Sequence, residues 1–479
     1  MPLSLARLAA YAAPGIGFGF VTLLVGTYFM KYATDVLGIP AAAMGAILLG
    51  SRLWDAVADP VAGYLSDRTR SRFGRRRPWL VAGALPLGIA FVLPWSPPPA
   101  FAEGARIAWV AGGMLLLFTA LTICRMPHEA LGVELSRDYH ERNRVFGVKR
   151  ALFGVGALAV FAALARLGEA AEPRAMVLEL TIAAGAVTAA LLVLAALAAR
   201  EPRAHAGRGA VHPLAAARDV LANPHARRLL SVSLLQQIAM GTVTTAAAYH
   251  TQYVLGDAGA FPMLIGCFFV ASLVSIPVWV RVGRHFEKKP LLVAAMVATG
   301  ALMACMLAVG PGDRTLLLAI AAAGGFASGA LDVFMPSLQA DVIDWDELRT
   351  GERKEGVYCA AWNLVEKVGM GVAAAVTGLA LAASGFVPNQ PQGDAALLAM
   401  RLLLSLFPLL CFTAGAARFA GFALDRAAHA RVRHELDSSQ PALEGGQDLR
   451  DVPTARRTWR APRGGTPRRR TGARSPSRA

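Results

Sequence analysis

Apolar residues gather into twelve long stretches, roughly 10–33, 41–66, 78–97, 106–134, 147–165, 175–198, 229–255, 262–282, 289–310, 315–340, 356–383 and 396–424, with shorter polar segments between them. A helix needs ~20 mostly apolar residues to cross a bilayer, so this pattern predicts twelve transmembrane helices. The one long internal connection, residues 200–228, is rich in Ala, Arg, His and Pro and divides the chain into six spans plus six. The expected organisation is a first half (1–199), a linker (200–228), a second half (229–425) and a tail (426–479). The start, MPLSLARLAAYAAPG, lacks the short apolar core and small-residue cleavage pattern of a secretory signal, so the first span is expected to stay.

Composition agrees with the pattern. The 479 residues are 55% hydrophobic and 17% charged, against ~25% charged in a soluble domain, which does not fit a water-soluble enzyme. Cys124, Cys267, Cys305, Cys359 and Cys411 fall singly inside spans, without disulfide or metal spacing. The even-numbered connections are basic, with Arg68, Arg75, Arg76 and Arg77 after the second span and Arg200, Arg203 and Arg208 after the sixth. The positive-inside rule then places these loops and both termini in the cytoplasm. Of the net charge of +16, half comes from 13 arginines against 5 acids between residues 426 and 479. That Pro-, Gly- and Ser-rich tail is expected to be disordered and solvated, or drawn to anionic lipid, rather than to bind nucleic acid.

Asp55 and Asp59 lie well inside the second stretch, four residues apart, so a helix stacks them on one face. One Asp at the centre of a membrane helix costs ~2.5–3.5 kcal/mol on insertion scales. Two ionised carboxylates one turn apart also repel, so a proton or another cation is expected between them. Pro60 removes an amide and frees the carbonyl of Ala56, and Ser51 lies one turn back on the same face. The competing reading is a structural ion pair with Arg52 or Lys367.

Two six-span halves joined by a cytoplasmic linker resemble a major facilitator transporter. The loop Asp67-Arg68 … Gly74-Arg75-Arg76-Arg77 has a degraded echo at Gly283-Arg284-His285-Phe286-Glu287-Lys288, as parallel duplication would leave. More finely, RLWDAVADPVAGYLSDRTRSRFGRRRPW (52–79), PHEALGVELSRDYHERNRVFGVKR (127–150) and ADVIDWDELRTGERKEGVYCAAWNLVEKVG (340–369) resemble the glycoside-pentoside-hexuronide:cation symporters, the melibiose permease family. The resemblance covers almost all of residues 10–425.

It implies an all-α fold of twelve helices in two six-helix halves, and cation-coupled symport of a sugar, glycoside or sugar acid. It further implies that Asp55 and Asp59 are cation ligands, joined by a hydroxyl at Thr122. Sodium-using members often carry Asn before the second Asp, where this chain has Ala58, so a proton is favoured over sodium. Lys367 matches a lysine linked to the cation and substrate cavity, and Arg150 a substrate-contacting arginine. Sugar-carrying members commonly place acids in the fourth and first spans, where this chain has Arg125, Glu129 and Gly19. Arg125 offers a planar fork for a carboxylate, sulfate or phosphate, beside His128 and Glu129; the alternative is an internal Arg125–Glu129 ion pair.

Three further groups are candidates from the residues alone. Gln237, Tyr249 and their polar neighbours make the seventh span unusually hydrophilic, and could meet a solute or another helix. Asp332 is another costly acid within a span. Asp67, Arg68 and Arg75, together with Asp341 and Asp344, could lock the halves as gates, or serve topology alone. No phosphate-cradling loop, nucleophile–base set or metal cluster is evident. We expect a monomer that carries a small polar solute with H⁺ or Na⁺ and needs no cofactor; the rivals are a lysolipid symporter and a membrane receptor or enzyme.

Overall fold

The computed structural model describes residues 4–69, 71–135, 139–198, 218, 220–351 and 354–439. The expected linker lies outside the described residues from 200 to 217, as does the basic tail from 440 onward. The chain forms two compact units, Met1–Val432 and Arg433–Ala479. Twelve helices long and apolar enough to cross a membrane lie in the first unit: α1 Leu5–Asp35, α2 Ala41–Arg68, α3 Arg77–Trp95, α4 Glu103–Gly132, α5 Arg144–Gly168 and α6 Pro173–Ala198, then α7 Pro224–Val254, α8 Ala260–His285, α9 Lys288–Ala308, α10 Arg314–Thr350, α11 Glu355–Ala383 and α12 Asp394–Ala420. The described residues contain no strand. This is a multi-pass membrane protein.

Local sequence sets the ends and breaks of these helices. Ser4 caps α1, its hydroxyl accepting from the Arg7 amide. Pro14 follows a break at Ala13, and Ser405 interrupts α12. The helix α10 runs ten residues past the apolar stretch that announces it, through Asp341, Asp344 and Glu347, and ends at Gly351 with φ +74°. A Gly in that left-handed conformation closes the helix without a Cβ clash.

The two halves, α1–α6 and α7–α12, meet where α2 packs on α11, α1 on α7 and α5 on α8. Backbone contact between α2 and α11 depends on small residues: a Cβ at Gly45 would lie 2.8 Å from the Ala374 carbonyl, and one at Gly378 would overlap Ala41. The face of α2 that carries Leu53, Trp54, Val57, Val61 and Leu65 is exposed, as a lipid-facing surface is, while Ser51 and Asp55 are buried. The carboxylates therefore face the protein.

One expectation changes. Residues 426–439, assigned from composition to a disordered tail, form a helix, α13 (Arg426–Ser439). Asp425 caps it by accepting from the Ala428 amide at 2.8 Å, and the alanines that follow favour helix. The five cysteines are free.

Candidate cation and solute site

Asp55 and Asp59 share one ammonium. Lys367 Nζ of α11 lies 2.8 Å from Asp55 Oδ2 and 2.5 Å from Asp59 Oδ2, and donates at 3.3 Å to the Asp55 carbonyl. The remaining oxygens meet Thr122 of α4, whose Oγ1 is 2.8 Å from Asp55 Oδ1 and 2.9 Å from Asp59 Oδ1. A hydroxyl has one proton to donate, so both contacts are filled at once only when one carboxyl carries a proton and donates to Thr122. Three helices from both halves thus converge on one charge cluster. The salt bridge to Lys367 is present: one ammonium is held between the two carboxylates.

Removing one partner of a buried ion pair costs ~3–5 kcal/mol, because the other is left unpaired. The cluster is accordingly stable with Lys367 docked, and anything that displaces the ammonium must bring positive charge. Ser51 stands apart, its hydroxyl donating to the Ile47 carbonyl at 2.7 Å.

Beside the cluster opens a cavity of about 390 Å³, within the range of small-molecule sites. Its walls hold four basic groups (Arg52, Arg125, Lys149, Arg150) and four acidic ones (Asp55, Asp59, Glu129, Glu366), with the Phe118, Phe146 and Phe153 rings between them. Arg125 Nε donates to Glu129 at 3.1 Å, and Lys149 Nζ lies 3.4 Å from the same carboxylate. Arg125 and Glu129 both line the cavity while paired. Arg52 stacks over Phe118 at 4.6 Å, and Arg150 over Phe153 at 5.5 Å.

Of the residues expected at the site, Asp55, Asp59, Thr122, Arg125, Glu129 and Arg150 line this cavity. His128 does not. It is fully buried, stacked on Tyr11 at 4.6 Å and edge-on to Phe18, with Nε2 2.8 Å from the Tyr11 carbonyl. It is a core histidine joining α4 to α1. Gln237 lies against Gly369 of α11, outside the cavity lining. In the polar row of α7, Thr242, Thr244 and Thr251 donate to carbonyls one turn back, and Thr245 meets Thr377 of α11 at 2.9 Å. Asp332 is exposed, and it accepts from Ser272 of α8 at 3.0 Å. The missed wall residues, Arg52, Lys149 and Glu366, read in sequence as ordinary charges near helix ends or beside a stronger candidate.

Tyr249 belongs to a different feature, at the end of the bundle away from the termini. Its hydroxyl is 2.9 Å from Thr34 of α1, and Tyr253 donates to Asp35 at 2.9 Å. Asn389, between α11 and α12, donates to the Asp35 carbonyl at 2.6 Å. Lys31 completes the seal at 2.5 Å from Asp35 Oδ2. At the terminal end, four contacts of the loop charges assigned to gating lie within one half. Arg76 pairs with Asp67, Arg68 lies over Tyr64 at 4.2 Å, Lys288 holds Asp341 at 2.8 Å, and His429 of α13 lies 3.1 Å from Asp344.

A family model described as MFS/sugar transport protein matches residues 10–426. The chain belongs to that family. Its members are membrane transporters, not enzymes. A symporter of Synechocystis is 26% identical, over 90% of this chain and 96% of its own. A glucuronide carrier protein homolog of Escherichia coli is 27% identical, over 85% of this chain and 90% of its own. The crystal structure of a D-xylose-proton symporter superposes with a TM-score of 0.64 at 14% identity, covering 87% of this chain and 97% of its own, which confirms the major facilitator fold.

Proposed function

We propose that this transporter is a proton-coupled symporter of a sugar acid or glycoside, acting as a monomer in the cytoplasmic membrane with both termini in the cytoplasm. The proton enters at Asp55 and Asp59, and the solute enters the adjoining cavity. The observation that carries the proposal is the sharing of four carboxylate oxygens between Lys367 and Thr122. A proton needs only one carboxyl, whereas a metal cation would have to find its ligands around a docked ammonium. The Ala58 position, where sodium-using members of the resembled family often carry Asn, favours the proton as well.

Coupling follows from charge. Protonating one Asp loosens Lys367 and adds one surplus positive charge to a site that, with Lys367 included, already sets five bases against four acids. An anionic solute at Arg125 or Arg150 removes the surplus. A unit charge ~8 Å away at an effective dielectric of ~20 contributes about 2 kcal/mol, enough for each ligand to raise the affinity of the other by more than tenfold. The half-filled states hold unbalanced charge in a low-dielectric path, so only empty and doubly filled carriers rock between the two faces. The sealed end, with Asp35, Tyr253 and Asn389, faces outward in this arrangement.

The similarity to a glucuronide carrier homolog supports a sugar acid. A lysolipid fits less well, because the cavity wall next to the ion cluster is charged rather than apolar. Uptake of methyl β-D-glucuronide into proteoliposomes under an inward pH gradient tests the proposal. Accumulation driven by the pH gradient, unaffected by a sodium gradient, is expected; accumulation driven by sodium alone would refute proton coupling.

A further inference from the structure

One residue brings the second half into the wall of the cavity. The lining residues come from α1, α2, α4 and α5 of the first half, and among the described residues Glu366 of α11 is the single exception. Its place is fixed by its neighbours along the helix. Lys367, the next residue, is held on Asp55 and Asp59 of α2, and one turn further on a Cβ at Gly371 would lie 3.2 Å from Arg52 Cβ. With 3.6 residues per turn, Glu366 stands ~100° around α11 from the docked lysine, and it is exposed and faces the cavity.

Most charges of the wall are already matched. Arg125 and Lys149 share Glu129, at 3.1 and 3.4 Å, and Asp55 and Asp59 share Lys367. Three are left. Arg52 and Arg150 lie over the Phe118 and Phe153 rings at 4.6 and 5.5 Å, and neither they nor Glu366 form a side-chain hydrogen bond or an ion pair with another described residue. Two cations on the first half thus stand free of carboxylates, and one carboxylate on the second half stands free of cations. An acid within a span is costly unless it faces a cavity or a partner, and as a rule it marks a solute or ion path.

A solute that drives rocking has to hold both halves. A ligand touching one half alone meets the same contacts in either orientation of the carrier, and so has no differential affinity by which to shift the equilibrium. In this cavity the second contact falls to Glu366. A carboxylate only accepts, and it does so through two oxygens. The complementary group is therefore a donor. An ammonium brought to Glu366 would add to the excess of bases already in the site, whereas neighbouring hydroxyls bring no charge and bind a carboxylate through charge-assisted hydrogen bonds.

We infer that Glu366 binds hydroxyl groups of the transported sugar from the second half, across the cavity from the unpaired Arg52 and Arg150. This rests on the symport reading above. Glu366 repels the solute's own carboxylate, and so orients an acid sugar with its anionic end toward the arginines. Because the next residue is Lys367, a solute drawn to Glu366 acts on the same turn of α11 that carries the ammonium. Glu366 is thus a binding and specificity residue.

The test measures equilibrium binding of methyl β-D-glucuronide, methyl β-D-glucoside and their single-deoxy analogues to purified wild type, Glu366→Ala and Glu366→Gln. Glu366→Ala should weaken glucuronide binding about 10- to 100-fold, the range for a hydrogen bond to a charged group. It should also abolish the wild-type preference for particular hydroxyls, so that the matching deoxy analogues lose nothing further. Glu366→Gln, which keeps a neutral acceptor of the same size, should weaken binding by about fivefold. The number of protons taken up per bound glucuronide should match wild type. Unchanged affinity and hydroxyl preference in both variants would overturn the assignment. So would an even loss across the whole series with the preference kept, the mark of a structural role, and so would a changed proton count, which would make Glu366 a coupling group. If wild type binds the neutral glucoside and not the glucuronide, the sugar-acid reading fails by itself, and the glucoside series still decides the role of Glu366. Binding of neither series would end the sugar reading and this assignment together.

Discussion

The two ends of the bundle hold their charges differently. Away from the termini, Asp35 of the first half is bound by Tyr253 and Asn389 of the second, and Thr34 by Tyr249. At the terminal end, Asp67 and Arg76 pair within the first half, and Lys288, Asp341, Asp344 and His429 within the second. Contacts inside one half survive any rocking motion, whereas contacts across the division must break for the far end to open. The far seal therefore biases the conformational equilibrium, while these terminal-end pairs stiffen each half. Between the two ends, Lys367 joins the halves through the carboxylate cluster, so the cluster and the division coincide.

The largest effect is expected at the middle of the bundle. Lys367→Met leaves two buried carboxylates without their ammonium, a loss of ~3–5 kcal/mol. A fall in thermal midpoint of many degrees is expected at alkaline pH. The sign with pH follows from repulsion between the ionised pair: acidification protonates one carboxyl, so the deficit of the variant should shrink as pH falls. A deficit that grows on acidification would mean that Lys367 stabilises something other than the Asp pair.

Thr122→Val keeps the shape of the side chain and removes the hydroxyl bond to both carboxylates. We expect the solute concentration needed for half-maximal uptake to rise by roughly tenfold at fixed external pH, as for the loss of a hydrogen bond to a charged group worth ~1.5 kcal/mol. At the far end, Tyr253→Phe deletes one cross-half bond, at ~1 kcal/mol. Labelling of a cysteine placed at the mouth of that end should accelerate by about fivefold, while the variant Arg76→Lys at the other end leaves it unaltered. The smallest effect is expected for Ser51→Ala, because Ser51 is bound to the Ile47 carbonyl and not to the Asp pair. Its ion dependence should stay within twofold of wild type.

Much of the fold was legible because the bilayer demands long apolar runs, and each of the twelve stretches corresponds to one helix. The Asp55–Asp59 pair was legible for a similar reason, since a four-residue spacing is a fixed geometry on any helix. Residues whose role is decided by a partner far away in the chain were harder to read. The polarity of His128 suggests a binding group, yet Tyr11, 117 residues away, turns it into packing. Lys149 looks like one more topological charge until α4 brings Glu129 within 3.4 Å of it. Asp35 is separated by more than two hundred residues from the tyrosine that binds it, and no local pattern marks the pair. The charged end of α10 stays helical where apolar periodicity had stopped, and Lys288 and His429 hold two of its acids, Asp341 and Asp344.

Under the proposed coupling, the carboxylate pair beneath Lys367 takes up the proton when solute binds. The direct measurement adds methyl β-D-glucuronide to weakly buffered, purified protein and records proton uptake with a pH indicator, for wild type and for Asp59→Asn. Wild type should consume protons on binding, and Asp59→Asn should bind solute with little or no proton uptake. Equal proton uptake by the two proteins would place the coupling group elsewhere and contradict the account.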